Sequence, residues 1–312
     1  MTVTASNTQQ HTNYLVSYPK IVTGMFMFDE TPEQDMKTFA PLLERMSKDM
    51  RNASANLSAK EARFLVDTYY QMQKERCIAA NRVRSMQNEP HLLMAWLKKQ
   101  NEFLEKQIAV SLDVYSANHP IGDWMRSICG IGPIISAGIL AHVDITRAQT
   151  AANLWTFAGL DPTVVWEKGK KRPWNASLKT LCYKAGECFV YVQNKPDDIY
   201  GKIYAQRKRL ETERNLAGAF KEQAENALKT KNFRDDTTAK AMYEKGMLPK
   251  AHIHARARRY AVKIWLSHVH YVWYCYEYGK EPEKPFKGFI KPPGTLPEKV
   301  QYIIENGVYA DA

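Results

Sequence analysis

The chain has 312 residues, with 44 lysine and arginine residues against 33 aspartate and glutamate residues, and a formal net charge of +11. Hydrophobic residues make up 45% and charged residues 25%, the balance of a globular chain that can bury a sizeable core. No apolar run approaches the ~20 residues of a membrane span, and the polar N-terminus lacks a secretory pattern. We therefore expect a cytoplasmic protein without a membrane partner. The basic balance favours a polyanionic partner, most commonly nucleic acid.

Cysteine spacing and the familiar catalytic motifs limit the possible chemistry. The five cysteines are scattered and contain no C-x-x-C pair, which predicts neither a zinc ribbon nor a disulfide framework. His268, His270 and Cys275 match no standard zinc spacing and are typical of packed side chains, so no metal site is predicted. The sequence also lacks Walker A, G-x-G-x-x-G, H-E-x-x-H and G-x-S-x-G motifs, which excludes nucleotide-driven motors, dehydrogenases and α/β hydrolases. We expect no cofactor, and Mg²⁺ only if the protein transfers DNA strands.

Residues 1–57 predict an irregular segment followed by a helix. Ile21 to Phe28 form a candidate strand. Thr31-Pro32-Glu33 is typical of an N-cap, an N1 proline and an acidic first turn, and it predicts a helix through about Met50.

Residues 58–118 predict a helical arm. Ser58 and Glu61 form a capping box, and apolar residues then follow a spacing of three and four. Asn88-Glu89-Pro90 separates this helix from a second one that stops before His119-Pro120. The two helices predict an antiparallel hairpin, either a dimerisation arm or ordinary bundle packing. In the first case the protein is a homodimer through residues 58–117.

The rest of the chain predicts a helical domain and a tail. Residues 119–278 form the domain, with a charged helical insertion at about 200–248 and a strong last helix over 250–278. Residues 279–312 are proline-rich and predict an extended tail on the surface. The predicted fold class is mainly α, a helical arm followed by this domain.

The segment Gly122–Val143 has the pattern of a helix-hairpin-helix. Gly130, Ile131 and Gly132 lie between two short amphipathic helices, and Pro133 starts the second one. Glycines allow a tight turn and a close approach of the backbone, and a helix N-terminus presents free N–H groups to a phosphate oxygen. The pattern predicts binding to the nucleic-acid backbone independent of base sequence. A tight corner between helices without a ligand is the alternative.

Two basic surfaces accompany the hairpin. The first is a loop with interleaved tryptophans (Trp166 and Trp174), and its cations are Lys168, Lys170, Lys171, Arg172, Lys179 and Lys184. It predicts contacts to several phosphates with stacking by tryptophan, or else a solvated loop over two core tryptophans. The second is a stripe on the last helix, made of His252, Arg256, Arg259 and Lys263. Calmodulin or membrane binding produces the same stripe, but the hairpin favours nucleic acid.

The order of motifs resembles the C-terminal domain of IS110/IS116/IS902-family transposases. The matching features are G-I-G-P-x-x-x-A-x-x-L-A from Gly130, F-A-G-L-x-P from Phe157 to Pro162, and the late helix from Ala251 to His268. The likeness covers about residues 120–190 and 250–275, under a third of the chain. It implies a helical domain that handles DNA, a preceding coiled-coil arm and a role in DNA recombination, with a mobile element as the origin.

The family also implies catalytic groups from which this sequence departs. The full transposases have an N-terminal RuvC-like domain with acidic metal ligands, yet the residues before the arm lack its repeated strands and spaced carboxylates. The family's nucleophile is a serine, and a Ser-Gly pair tends to follow the F-A-G-L-x-P motif, but Trp166 to Gly169 stand here. Ser177, near Lys179, is the nearest candidate nucleophile; with Asn175 it is also typical of a helix N-cap.

These observations predict a DNA-binding relative of the transposase domain that is catalytically degenerate or dependent on a partner. Its expected contacts to the backbone of duplex or branched DNA are Gly130, Ile131, Gly132, Lys168, Lys170, Lys171, Arg172, Lys179, His252, Arg256, Arg259 and Lys263. Two alternatives stay open. One is an active transposase or recombinase, and the other is an RNA-binding component of a ribonucleoprotein.

Overall fold

The computed structural model describes residues 45–86, 92–234, 237–283 and 291–309. Over these ranges it contains twelve α-helices and no β-strand, which confirms the mainly α fold class. The candidate strand from Ile21 to Phe28 lies outside the described residues. In the same ranges, no helix has both the length and the apolar character needed to cross a membrane.

The arm is an antiparallel pair of long helices preceded by a short one. Helix α1 spans Lys48–Ala53, α2 spans Ala59–Ser85 and α3 spans Leu92–Ala117. Arg76 pairs with Glu105 at 2.6 Å, while Val66 and Leu112 pack in one apolar cluster. A residue nearer the start of α2 therefore packs with a residue nearer the end of α3, as in an antiparallel pair.

Local capping explains where the arm helices begin. The capping box predicted at Ser58 and Glu61 is present, with the Ser58 N–H donating to the Glu61 carboxylate at 2.8 Å. The helix predicted through Met50 is interrupted in its described part. Residues 45–47 are not helical, because the Ser47 hydroxyl accepts a hydrogen bond from the Met50 N–H and so starts α1 afresh.

The domain continues with four helices around the predicted hairpin. Helix α4 spans Pro120–Arg126, α5 spans Pro133–His142, α6 spans Ala151–Phe157 and α7 spans Ala176–Val192. All of α5 from Ile135 onward is buried, because the arm packs on one side of it and α4 and α7 on the others. The arm and the domain thus share one compact unit.

The charged insertion consists of three helices rather than one continuous stretch. Helix α8 spans Tyr200–Leu216, α9 spans Lys221–Thr230 and α10 spans Thr238–Glu244. Gly218, whose φ of +80° is in the left-handed region, lies in the turn that separates α8 from α9. Residues of α9 and α10 form a small apolar cluster with Leu248 and with Ile253.

A single long helix, α11, spans Lys250–Tyr278 and is the central element of the domain. It packs against α4, α6, α7 and α8, and its second half is almost entirely buried, with Trp265 at its centre. The tail also contains a helix, α12, which spans Glu298–Asn306 and buries Val300 and Ile303 against the same core. The extended conformation predicted for the whole tail is therefore wrong for this part.

Candidate nucleic-acid interface

The hairpin between α4 and α5 contains two glycines with different surroundings. Gly130 has a φ of +91°, a conformation that favours glycine, and an added Cβ would lie 3.1 Å from Val192 Cγ2. Gly132 is the N-cap of α5, with a φ of −101° that any residue adopts, and an added Cβ would meet nothing within 4 Å. The fold therefore requires glycine at Gly130, whereas at Gly132 the space is open.

The start of α5 has the features of an anion site. Its first N–H groups have no acceptor within the helix, Gly132 provides no side-chain cap, and Pro133 has no N–H to offer. Residues 130–132, together with Ile134 and Ile135, line a groove of about 930 Å³. The positive end of the α5 dipole thus lies beside solvent-filled space that an anion can enter.

The loop that carries the lysine cluster is open to solvent. Lys168 and Lys171 are exposed, while Lys170 pairs with Glu167 at 2.7 Å. The Arg172 guanidinium lies 5.3 Å from the centre of the Trp166 ring, whose N–H donates to the Lys170 carbonyl at 2.7 Å. Trp166 therefore organises this loop instead of packing in the core.

Trp174 connects the loop to the domain. Its ring packs over Gly159, which has a φ of +66° and would bring a Cβ to 2.8 Å from the ring. The Lys179 ammonium lies 4.1 Å from the centre of the same ring. The contact between Gly159 and Trp174 thus determines the position of the ring against which the Lys179 ammonium lies.

Three cations meet at a pocket of about 300 Å³ between α7 and α11. It is lined by Lys179, Arg258 and Arg259, and Arg258 is ion-paired with Glu187. Within the described ranges, Lys179 and Arg259 have no carboxylate within ion-pair distance. Burial and then the charges of Arg259 and Arg172 lower the pKa of Lys179. Burial and the neighbouring Arg256 and Arg258 likewise lower the pKa of Arg259. An anion in this pocket would relieve the repulsion between these groups.

The basic stripe predicted on the last helix divides into two parts. Arg259 belongs to the three-cation pocket, and the Lys263 ammonium lies 4.7 Å from the centre of the Trp155 ring. Arg256 donates to the buried Glu211 at 2.8 Å and is engaged inside the fold. His252 contacts the Tyr243 hydroxyl at 3.3 Å. The geometry therefore brings Arg259 together with Lys179, and it leaves Arg256 and His252 beside the insertion.

Ser177 lies in the first turn of α7, where Asn175 is the N-cap and accepts the Leu178 N–H at 3.0 Å. It lines a cavity of about 140 Å³ together with His142 and Lys184. Among the described residues, no hydrogen bond joins Ser177 to either group. His142 Nδ1 instead contacts the Asn175 amide nitrogen at 3.2 Å, and its buried Nε2 has no partner in the same part of the chain. Nothing in this arrangement activates the serine as a nucleophile.

The histidines considered as metal ligands point to different partners. His268 Nδ1 lies 2.6 Å from the Tyr200 hydroxyl, and His270 Nε2 lies 2.8 Å from the Ala148 carbonyl. No group of three or more histidine, cysteine, aspartate or glutamate side chains in the described ranges is arranged to hold a metal ion.

Two parts of this surface were missed by sequence reasoning. Arg258 was not included in the predicted basic stripe, although it lines the same pocket as Arg259. Its position next to Arg259 in the sequence could have indicated this. The groove beside the hairpin is lined by four tyrosines from α2 and α7, namely Tyr69, Tyr70, Tyr183 and Tyr191. Their meeting depends on how the arm packs against the domain, which no local pattern reveals.

Comparison with known families gives a match within this region of the chain. Residues 123–176 match the family described as Transposase IS116/IS110/IS902 family. The matched segment begins in α4 and ends at the start of α7. It contains the whole of α5 and the loop with Lys168, Lys170, Lys171 and Arg172. Searches of curated proteins and of solved structures gave no significant match.

Proposed function

We propose that this protein binds the phosphate backbone of DNA, duplex or branched, through the α4–α5 hairpin and the basic surface beside it. The match of residues 123–176 indicates a transposase-related function. One observation carries the proposal further. The matched segment contains a helix start without a side-chain cap, which opens into a groove of about 930 Å³. Backbone N–H groups in such a position suit a phosphate oxygen.

The basic surface beside the hairpin supports the same partner. The loop that follows the hairpin carries the exposed Lys168 and Lys171. The next helix, α7, carries Lys179, which lines the three-cation pocket. A DNA backbone neutralises several such cations at once, and the release of its counterions makes the binding dependent on salt. Contacts of this kind position a protein on DNA without reading the base sequence.

In this proposal the chain is catalytically degenerate or depends on a partner for catalysis. Ser177 has no base within hydrogen-bond distance in the described part of the chain, and His142 is engaged with Asn175. The family's RuvC-like carboxylates precede the arm, and residues 1–44 of this chain lie outside the described residues. We assign DNA binding to this chain, with strand transfer either lost or supplied by a partner.

The arm is the proposed dimer interface. Leu93, Trp96, Leu97 and Leu104 of α3 are exposed although they are large and apolar. A second copy of the arm would cover such a face in the manner of a coiled coil. Two copies would then present two hairpins to one DNA molecule.

A salt titration tests the proposal directly. Binding to a labelled DNA duplex, a four-way DNA junction and a matched RNA is measured by fluorescence anisotropy at increasing salt. We expect micromolar or tighter binding to DNA at low salt, and a steep linear fall of the logarithm of the binding constant with the logarithm of salt. Weak binding with no salt dependence on all three nucleic acids would contradict the proposal, and a preference for the RNA would favour a ribonucleoprotein.

The two hairpin glycines provide a matched pair of variants. Gly132→Val adds a side chain in open space at the mouth of the groove, so it should weaken binding to all duplex sequences alike. Its thermal unfolding temperature should fall less than that of the Gly130 variant, since the only cost is a poorer N-cap residue. Gly130→Val places a β-branched residue at a φ of +91° and should destabilise the fold by at least ~1 kcal/mol. If Gly132→Val binds DNA as tightly as the wild type, the hairpin is only a packing corner.

A further inference from the structure

We infer that the groove beside the hairpin binds an unpaired DNA strand, with its bases stacked on tyrosine rings and its phosphates at the hairpin and the three-cation pocket. This inference rests on the proposed DNA binding and adds the class of substrate, namely DNA with unpaired bases. It depends on the four tyrosines, on the charges around them and on Tyr183, which lines both the groove and the pocket.

The groove lies where three parts of the fold meet. Tyr69 and Tyr70 come from α2 of the arm, residues 130–132 come from the hairpin turn, and Tyr183 and Tyr191 come from α7. Its volume of about 930 Å³ is at the upper end of the range for ligand sites. A strand that follows the groove would therefore touch the start of α5 and aromatic rings at the same time.

The tyrosines of α7 are exposed to an unusual degree for aromatic side chains in a folded chain. Tyr191 is 83% exposed and Tyr183 is 55% exposed. They are eight residues apart on one helix, which separates them by ~12 Å along the axis. Each can therefore stack a different base.

The charges along the groove complement a nucleic-acid strand. Its lining contains one carboxylate, Glu187, which is ion-paired with Arg258. The Lys184 ammonium lies 4.0 Å from the centre of the Tyr70 ring, and the Arg258 guanidinium lies 3.9 Å from the centre of the Tyr183 ring. Cations are thus held against the tyrosine rings, next to where phosphates of a stacked strand would lie.

The groove and the three-cation pocket share one lining residue, Tyr183. The Arg258 guanidinium, which lines the pocket, lies over its ring. A strand whose phosphates occupy the pocket and the hairpin would pass across this tyrosine between them. The surface therefore offers alternating sites for phosphates and bases.

An unpaired strand fits these features better than a duplex or a peptide. Bases in a duplex are stacked on each other, and a protein must unstack them before a tyrosine can reach a base face. A peptide would satisfy the tyrosines but has no phosphates for the hairpin and the pocket. Stacking is tolerant of base identity, which agrees with a site that contacts the backbone.

The test compares single-stranded DNA, the matched duplex and an abasic single strand of the same length, by fluorescence anisotropy with the full chain. We expect the wild type to prefer the single strand with bases over the abasic strand. Tyr191→Ala should weaken binding to the single strand by roughly 5- to 150-fold, the range for loss of one stacked base, and leave the duplex unaffected. Tyr191→Phe should restore the affinity, because it retains the ring.

Tyr302→Ala is the matched control, since Tyr302 is a partly exposed tyrosine on α12 away from the groove. It should bind every substrate like the wild type.

The inference is overturned if Tyr191→Ala binds the single strand as tightly as the wild type, or if abasic and normal strands bind equally. In either case the proposed DNA binding stands as long as Gly132→Val weakens the duplex complex. A preference for a matched RNA strand overturns the assignment to DNA, and no binding to any substrate overturns both proposals.

Discussion

The buried carboxylate of Glu211, in α8, holds the charged side of the last helix in place. Arg256 donates to it at 2.8 Å, Arg207 forms a second ion pair with it, and Arg214 lies 3.9 Å away. Burial alone would raise the pKa of Glu211. The hydrogen bond from Arg256 and the positive charges of Arg256 and Arg207 outweigh burial, so the pKa is lowered. The carboxylate is therefore ionised, and its partners depend on it.

We expect Glu211→Ala to lower the free energy of unfolding by up to about 3 kcal/mol, because it leaves the partly buried guanidinium groups of Arg207 and Arg256 without a counter-charge. Urea denaturation at neutral pH measures this. Glu213→Ala is the control: Glu213 is exposed and lies 4.0 Å from Arg209, so its removal should change stability by less than ~1 kcal/mol. Equal losses in the two variants would contradict the role of Glu211.

Two neighbouring arginines of α11 allow binding to be separated from stability. Arg259 hydrogen-bonds only to its own helix among the described residues, at the Ala255 carbonyl, so Arg259→Ala should weaken DNA binding and reduce the salt slope by about one. Arg256→Ala should mainly destabilise the fold, since it leaves Glu211 short of a partner. Salt titrations measure DNA binding and urea denaturation measures stability for both variants. A loss of stability in Arg259→Ala, with a loss of DNA binding alone in Arg256→Ala, would contradict these roles.

The sequence predicted which residue types would surround the site but not the partners of each one. Helical spacing placed Arg256 and Arg259 in one stripe, and both do lie on α11. Their environments differ because α8 brings Glu211 to one and α7 brings Lys179 to the other. Those helices lie far away in the chain, so no local pattern contains this information.

The arm exposes apolar residues at helical spacing, and this has a testable consequence for assembly. We expect a double variant of α3, Leu97→Lys with Leu104→Lys, to convert a dimer into a monomer, because it places two like charges in the proposed interface. Sedimentation velocity measures the change. Leu216→Lys, at an exposed position of α8, is the control and should remain a dimer. A wild-type protein that sediments as a monomer would contradict the proposed interface.

At the scale of elements, helix starts were the most predictable features. Ser58 and Glu61 predicted the start of α2, and Pro133 predicted that of α5. Pro120, expected only to stop the preceding helix, also starts α4. Helix α12 was missed because prolines surround it. Its signal was nevertheless present, since Pro297 precedes it and Val300 and Ile303 are three residues apart.

Across the described part of the molecule, burial lowers the pKa of five histidines. Burial is the largest cause that lowers the pKa of His119, His142, His252, His254 and His270. In the unfolded chain these groups take up protons near pH ~6.5, whereas in the folded protein they do so only at lower pH. Their contribution to stability is thus fully present above the unfolded pKa and is lost as the pH falls towards the folded values.

We therefore expect the free energy of unfolding to decrease as the pH falls below ~6.5, at pH values where carboxylates are still ionised. Urea denaturation at a series of pH values measures the slope. A His142→Gln variant should show a smaller slope than the wild type, because it removes one of the groups responsible. A free energy of unfolding that stays constant through this range, or that rises as the pH falls, would contradict the expectation.

The bonds between the tail and the hairpin have a consequence for synthesis on the ribosome. The Trp124 indole N–H donates to the Pro293 carbonyl at 2.8 Å, and the Thr295 N–H donates to the Ser127 hydroxyl at 2.9 Å. Helix α4 and its turn thus receive partners that are translated some 170 residues later. During elongation the nascent hairpin lacks these contacts, and it acquires them only after residue 295 has left the exit tunnel. Chains terminated before residue 293 would therefore present a hairpin without either of these contacts.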